Sequence, residues 1–115
     1  MTQEEMYKIS NHFNKQEGLA YPISNQVVVC GLVSTDLNDW KEFVEKLDKE
    51  KISRIRQFEV ILSNNERWVY INPNNDHVRG YRFYKVIANK NTDKKIIYER
   101  IIPLCACYCK SFEWF

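Results

Sequence analysis

The chain has 115 residues, 44% of them apolar and 28% charged, ordinary globular usage for one domain spanning 1–115 and too little for two independent cores. Six Phe, three Trp and seven Tyr exclude a disordered chain, and three Gly with three Pro exclude a collagenous or linker-rich one. The net charge of +2 hides a division: residues 1–50 carry nine acids and five bases, residues 51–115 six acids and twelve bases, including all six arginines. Such asymmetry points to a polyanionic partner, and its plain alternative is an acidic helix that compensates a basic sheet within the molecule.

The pattern predicts a first helix over 3–15. Thr2 and Glu5 form a capping box, and Met6, Ile9 and Phe13 recur along one stripe. Gly18 and Pro22 then mark a loop. Gln26 to Val33 is a β-branched run without polar relief, which predicts a central strand buried on both faces. Residues 36–50 form the strongest helix, with Ser34, Thr35 and Asp36 offering caps and Leu37, Trp40, Val44 and Leu47 forming a stripe.

The remainder reads as a β-meander. Strands are expected at Ile55–Leu62, Arg67–Ile71, Gly80–Ala88, Lys95–Ile102 and Leu104–Lys110, followed by a short tail Ser111–Phe115. Asn-rich turns at Ser63–Glu66, Asn72–Asp76 and Asn89–Asp93 separate them. Short turns imply antiparallel pairing. The expected fold is therefore α+β: an antiparallel four- to five-stranded meander with two amphipathic helices packed on one face.

Motifs for chemistry are sparse. Cys105, Cys107 and Cys109 alternate, with Cys30 as the fourth thiol. Strand neighbours two apart stand about 6.5 Å from each other and converge poorly on one ion. The expectation is reduced core cysteines, no metal and no cofactor. Asp76-His77 has the look of a single hydrolytic ligand pair, but the other histidine, His12, lies in the first helix. There is no phosphate-cradling glycine loop. No stretch approaches the ~20 apolar residues of a membrane span, and the acidic start Met1-Thr2-Gln3-Glu4-Glu5 is unlike a signal peptide. A cytoplasmic protein with no membrane partner is expected.

Alternation groups Trp68 with Tyr70, Arg82 with Tyr84, and Tyr98 with Arg100. With matched registers the six would form one aromatic–cationic sheet face, left free by the helices. Aromatic and Arg side chains are the chemistry of protein hot spots, and also of platforms for stacked bases. The expected function is a small non-enzymatic protein that binds another protein, such as the inhibitors and regulators encoded by phages and mobile elements. The alternatives are a nucleic-acid-binding protein using the same face, and a small enzyme without a local signature. Eleven each of Lys, Asn and Ile point to an AT-rich genome.

Overall fold

A computed structural model describes residues 1–14, 27–74, 81–105 and 109–115. The elements in chain order are α1 (Gln3–Asn14), β1 (Val28–Val33), α2 (Leu37–Glu45), a 3₁₀ turn (Lys49–Lys51), β2 (Ile52–Arg56), β3 (Glu59–Leu62), β4 (Glu66–Ile71) and β5 (Phe83–Ala88). A third helical segment, α3, runs through Lys94–Ile96, Ile97–Ile101 and Ile102–Cys105, and β6 (Ser111–Trp114) follows. Among the described residues the fold is α+β, with three helices and one six-stranded mixed sheet in the order β2-β3-β4-β1-β5-β6.

The start of the chain follows its pattern. Thr2 Oγ1 accepts the Glu5 N–H at 3.2 Å, the first bond of a capping box, and the Thr2 hydroxyl, in place of the Thr2 N–H, donates to the Glu5 carboxylate. Asp36 caps α2 by accepting the Asn38 N–H at 2.9 Å. β1 lies at the centre of the sheet, between β4 and β5, as its unrelieved apolar run implied. At the β3–β4 turn Asn65 takes φ 69°, the left-handed conformation that Asn tolerates.

Four expectations are corrected. The sheet is antiparallel only through β2, β3 and β4; β1 pairs in parallel with β4 and β5, and β5 in parallel with β6. Parallel neighbours need crossovers, and α2 and α3 supply them. Lys95–Ile102 is helical. Asp93 caps it by accepting the Lys95 N–H at 2.8 Å, and Ile97, Ile101 and Cys105 recur every four residues, fully buried. Its middle turn is a π-segment in which the Ile102 N–H reaches Ile97 O, one turn ahead of Pro103, which has no N–H to offer. The stretch 104–110 begins as the end of α3, and the final strand is the expected tail, Ser111–Trp114. Finally, the helices lie on both faces. Ile9 and Phe13 of α1 and Ile97 and Ile101 of α3 pack with Val33, Val86 and Phe112 on one face. Trp40 of α2 packs with Cys30, Leu32, Val60 and Trp68 on the other.

This cover is diagonal. The cluster under α2 runs from Ile52 of β2 to Ile87 of β5, and the cluster under α1 and α3 runs from Val69 and Ile71 of β4 to Phe112 and Trp114 of β6 on the opposite face. The expected strand Ile55–Leu62 is broken by a turn at Gln57-Phe58 into the hairpin β2–β3, with Arg56 opposite Glu59. That hairpin carries exposed side chains on both faces near its tip, Arg54 and Arg56 on one and Ile55 on the other.

Candidate interaction site

A concavity of about 680 Å³ lies where the β2–β3 turn meets the C-terminal ends of the parallel strands β1 and β4. Crevices outside the carboxyl ends of parallel strands are the usual ligand position of such sheets. The turn contributes Arg56, Gln57 and Phe58, β4 contributes Tyr70, and Tyr81 stands at the entrance to β5.

Each of these is held by a definite contact. Phe58 O accepts the Tyr70 N–H at 3.0 Å, and the two rings stand 6.0 Å apart. The Tyr70 hydroxyl donates to Ser34 O at 2.9 Å, bracing β4 against the end of β1. Burial and the charges of Asp36 and Asp39 raise the Tyr70 pKa, so the phenol stays a neutral donor. From the other side Trp40 Nε1 donates to Gln57 O at 3.0 Å and ties the turn to α2. Tyr81 stacks on the buried Phe83, 5.6 Å between centroids. Glu59 bonds Arg67 at 2.9 Å. That bond, with the charges of Arg67, Arg56 and Arg54, holds the Glu59 carboxyl below the usual range. Arg54 and Arg56 are both exposed. The rim is therefore aromatic and positively charged.

A second polar group lies under α2. Glu66 accepts from Lys85 Nζ at 2.6 Å and from Trp68 Nε1 at 3.1 Å. Their strands flank Cys30 of β1, whose thiol is pushed up to about 12 by burial and the Glu66 charge. This group locks β4 to β5 across β1. Among the described residues no three His, Cys, Asp or Glu side chains gather as a metal site; Cys107, Asp76 and His77 lie outside the described residues.

The six residues grouped by alternation are dispersed. Trp68 is 6% exposed, its ring 5.1 Å from Phe43 of α2. Tyr70 shares that face and lines the cleft. Arg82 is exposed and adjoins the cleft through Tyr81, whose carbonyl accepts from its guanidinium at 3.2 Å. Tyr84 sits at a β-bulge between β1 and β5, its carbonyl accepting the Lys110 N–H at 2.7 Å. Tyr98 and Arg100 belong to α3: Tyr98 is exposed beside Lys94, and Arg100 donates to Pro73 O at 2.9 Å. Only Trp68 and Tyr70 share a strand face.

Arg56, Phe58 and Tyr81 are not among the contact residues expected from sequence, where Arg56 figures only as a cross-strand partner for Glu59. One signal was available: Arg56 and Glu59, opposite charges flanking two residues, have the spacing of a cross-strand pair closing a two-residue hairpin. Comparison with protein-family models finds no match to this chain, and comparison with curated proteins finds none.

Proposed function

We propose that this is a non-enzymatic protein that binds another protein, with the cleft beside the β2–β3 turn as its contact surface. The observation that carries the reading is Phe58, 46% exposed beside Arg56, Tyr70 and Tyr81 at the rim of that cleft. An exposed phenylalanine costs free energy in water, and aromatic and Arg side chains around a concavity are what partner anchors seat against. In this reading the chain is an inhibitor or regulator acting in the cytoplasm. Of the six contact residues expected from sequence, Tyr70 and Arg82 belong at this surface.

The test compares capture of a binding partner by the wild type and by Phe58→Ala, with a melting curve for each. Capture weakened about tenfold at unchanged melting supports the reading, a loss of roughly 1–2 kcal/mol at an anchor. Equal capture by both removes the cleft from the function.

Nucleic acid is the second reading, favoured by the exposed Arg54 and Arg56 on the face that α1 and α3 leave uncovered. Salt separates the two: phosphate contacts make affinity fall steeply with ionic strength, and apolar anchoring does not.

A further inference from the structure

β2 is the outermost strand on one side of the sheet, and among the described residues it pairs with β3 alone. Four of its five residues are exposed. The opposite outermost strand is closed off. Asn14, at the end of α1, accepts the Phe112 N–H of β6 at 3.0 Å, and Trp114 Nε1 donates to Met6 O and Ser10 Oγ. An edge left open offers backbone N–H and C=O groups that another extended chain can complete.

The register dictates what that chain must carry. Arg54 pairs with Ile61 and Arg56 with Glu59, on the face away from α2. Ile55 pairs with the buried Val60, on the α2 face, and remains 56% exposed. The one acid of the hairpin, Glu59, is engaged by Arg67. A second copy of β2 would set Arg against Arg, and like charges directly opposite are destabilising. The bulge between Ile52 and Arg54 also opposes self-pairing, since an edge bulge twists the strand away from a copy of itself. Neither device opposes an acidic strand.

We propose that β2 accepts, by strand addition, an extended segment of a partner protein with acidic, apolar and acidic residues in alternation. The two carboxylates stand beside Arg54 and Arg56, and the apolar side chain covers Ile55. The proposal rests on the protein-binding reading and names the chemistry of the segment bound.

The experiment uses the full chain and two blocked peptides, one centred on Glu-Val-Glu and the other on Lys-Val-Lys. Residue-resolved amide exchange and a binding titration are read for each. The Glu peptide is expected to slow exchange within residues 52–56 at least about tenfold, and the Lys peptide to leave it unchanged. The double variant Arg54→Glu, Arg56→Glu is expected to exchange these preferences, binding the Lys peptide at least about tenfold more tightly than the Glu peptide. Should that variant not fold, Arg54→Gln with Arg56→Gln replaces it, and loss of the Glu peptide is the expected result. If β2 stays unprotected while Phe58→Ala still releases a captured partner, strand addition is overturned and the protein-binding reading stands. If neither peptide nor partner responds and a single-stranded oligonucleotide binds with a steep salt dependence, both are overturned.

Discussion

Truncating Trp40 to Ala is expected to cost about 3–5 kcal/mol, the range for deleting a large buried aromatic. The side chain is 2% exposed, with its ring 5.6 Å from Phe43 and 6.2 Å from Tyr70. Most of the loss is packing, because the cavity would open between α2 and β4, two elements of fixed backbone. A smaller part, about 0.5–1.5 kcal/mol, is the hydrogen bond from Nε1 to Gln57 O. Gln57 is exposed, so water can replace the lost donor and the bond contributes at the low end of that range. Trp40→Phe separates the two parts. It keeps a buried ring, removes the N–H, and is expected to cost about 1–2 kcal/mol. Against a typical total of roughly 5–15 kcal/mol the Ala variant gives up a large share of the stability. Urea denaturation measures both, read as a shift in midpoint at constant slope. The Phe variant is also expected to speed amide exchange in the β2–β3 turn, since its tie to α2 is cut. A loss below about 1 kcal/mol for Trp40→Ala would refute the placement of this helix on the core.

Gly31→Ala is expected to destabilise by about 1–3 kcal/mol, because a Cβ there would stand 2.8 Å from Cε1 of the fully buried Phe83; adding Phe83→Leu should recover part of the loss in a double-mutant melt. Burial raises the Glu66 pKa, but the bonds from Lys85 and Trp68 outweigh it, so the folded-state value is lowered. Its stabilisation is then complete above the unfolded carboxyl's pKa of about 4.3 and is lost as pH falls through the lower folded value; an acid titration of stability is expected to be flatter for Glu66→Gln. Cys30, Cys105 and Cys109 are fully buried; burial raises the Cys30 thiol, the hydrogen bond with Cys109 together with burial raises the Cys105 thiol, and that same bond lowers the Cys109 thiol, so burial alone shields all three. A thiol reagent should leave all three unmodified until denaturant is added, as mass spectrometry would report.

The legible elements are those whose local signals agree with their burial. α1, α2 and β1 each have a cap or an apolar run that tertiary packing then uses in the same sense. Lys95–Ile102 was misread because its isoleucines come in adjacent pairs. Ile96-Ile97 and Ile101-Ile102 resemble β-branched strand runs, yet the recurrence of Ile97, Ile101 and Cys105 is helical, and that spacing decides the buried face. The hairpin was missed because its turn, Gln57-Phe58, contains neither Gly nor Asn. The topology was not legible locally. Parallel pairing joins β1 to β4 and β5, strands far apart in sequence, and no turn between them records it. With α3 read as strand, one crossover vanished, and the sheet was left with a bare face it does not have.

The aromatic face failed for a related reason, and its failure moves the charge argument rather than removing it. Trp68 and Tyr70 do share a face, but α2 covers Trp68 and half-buries Tyr70 at the edge of the cleft, so their rings pack beneath Phe43 and Trp40. Among the described residues, two exposed arginines stand together on one strand, Arg54 and Arg56 of the hairpin. If the acidic half simply neutralised the basic half, the acids of α2 would be expected against Arg54 and Arg56. They lie across the sheet from them, since α2 packs on the face carrying Val60 while Arg54 and Arg56 pair on the other. The ion pairs Arg67–Glu59 and Lys85–Glu66 stay within the second half, and Lys94–Glu5 joins the halves at α1 and α3, away from the hairpin. Positive charge thus accumulates along β2, beside an edge left open among the described residues and an exposed isoleucine and phenylalanine. Charge alone would predict a solvated face, and an apolar edge alone would predict aggregation. Their coincidence on one strand answers both: the arginines keep like strands apart and leave the edge open to an acidic partner.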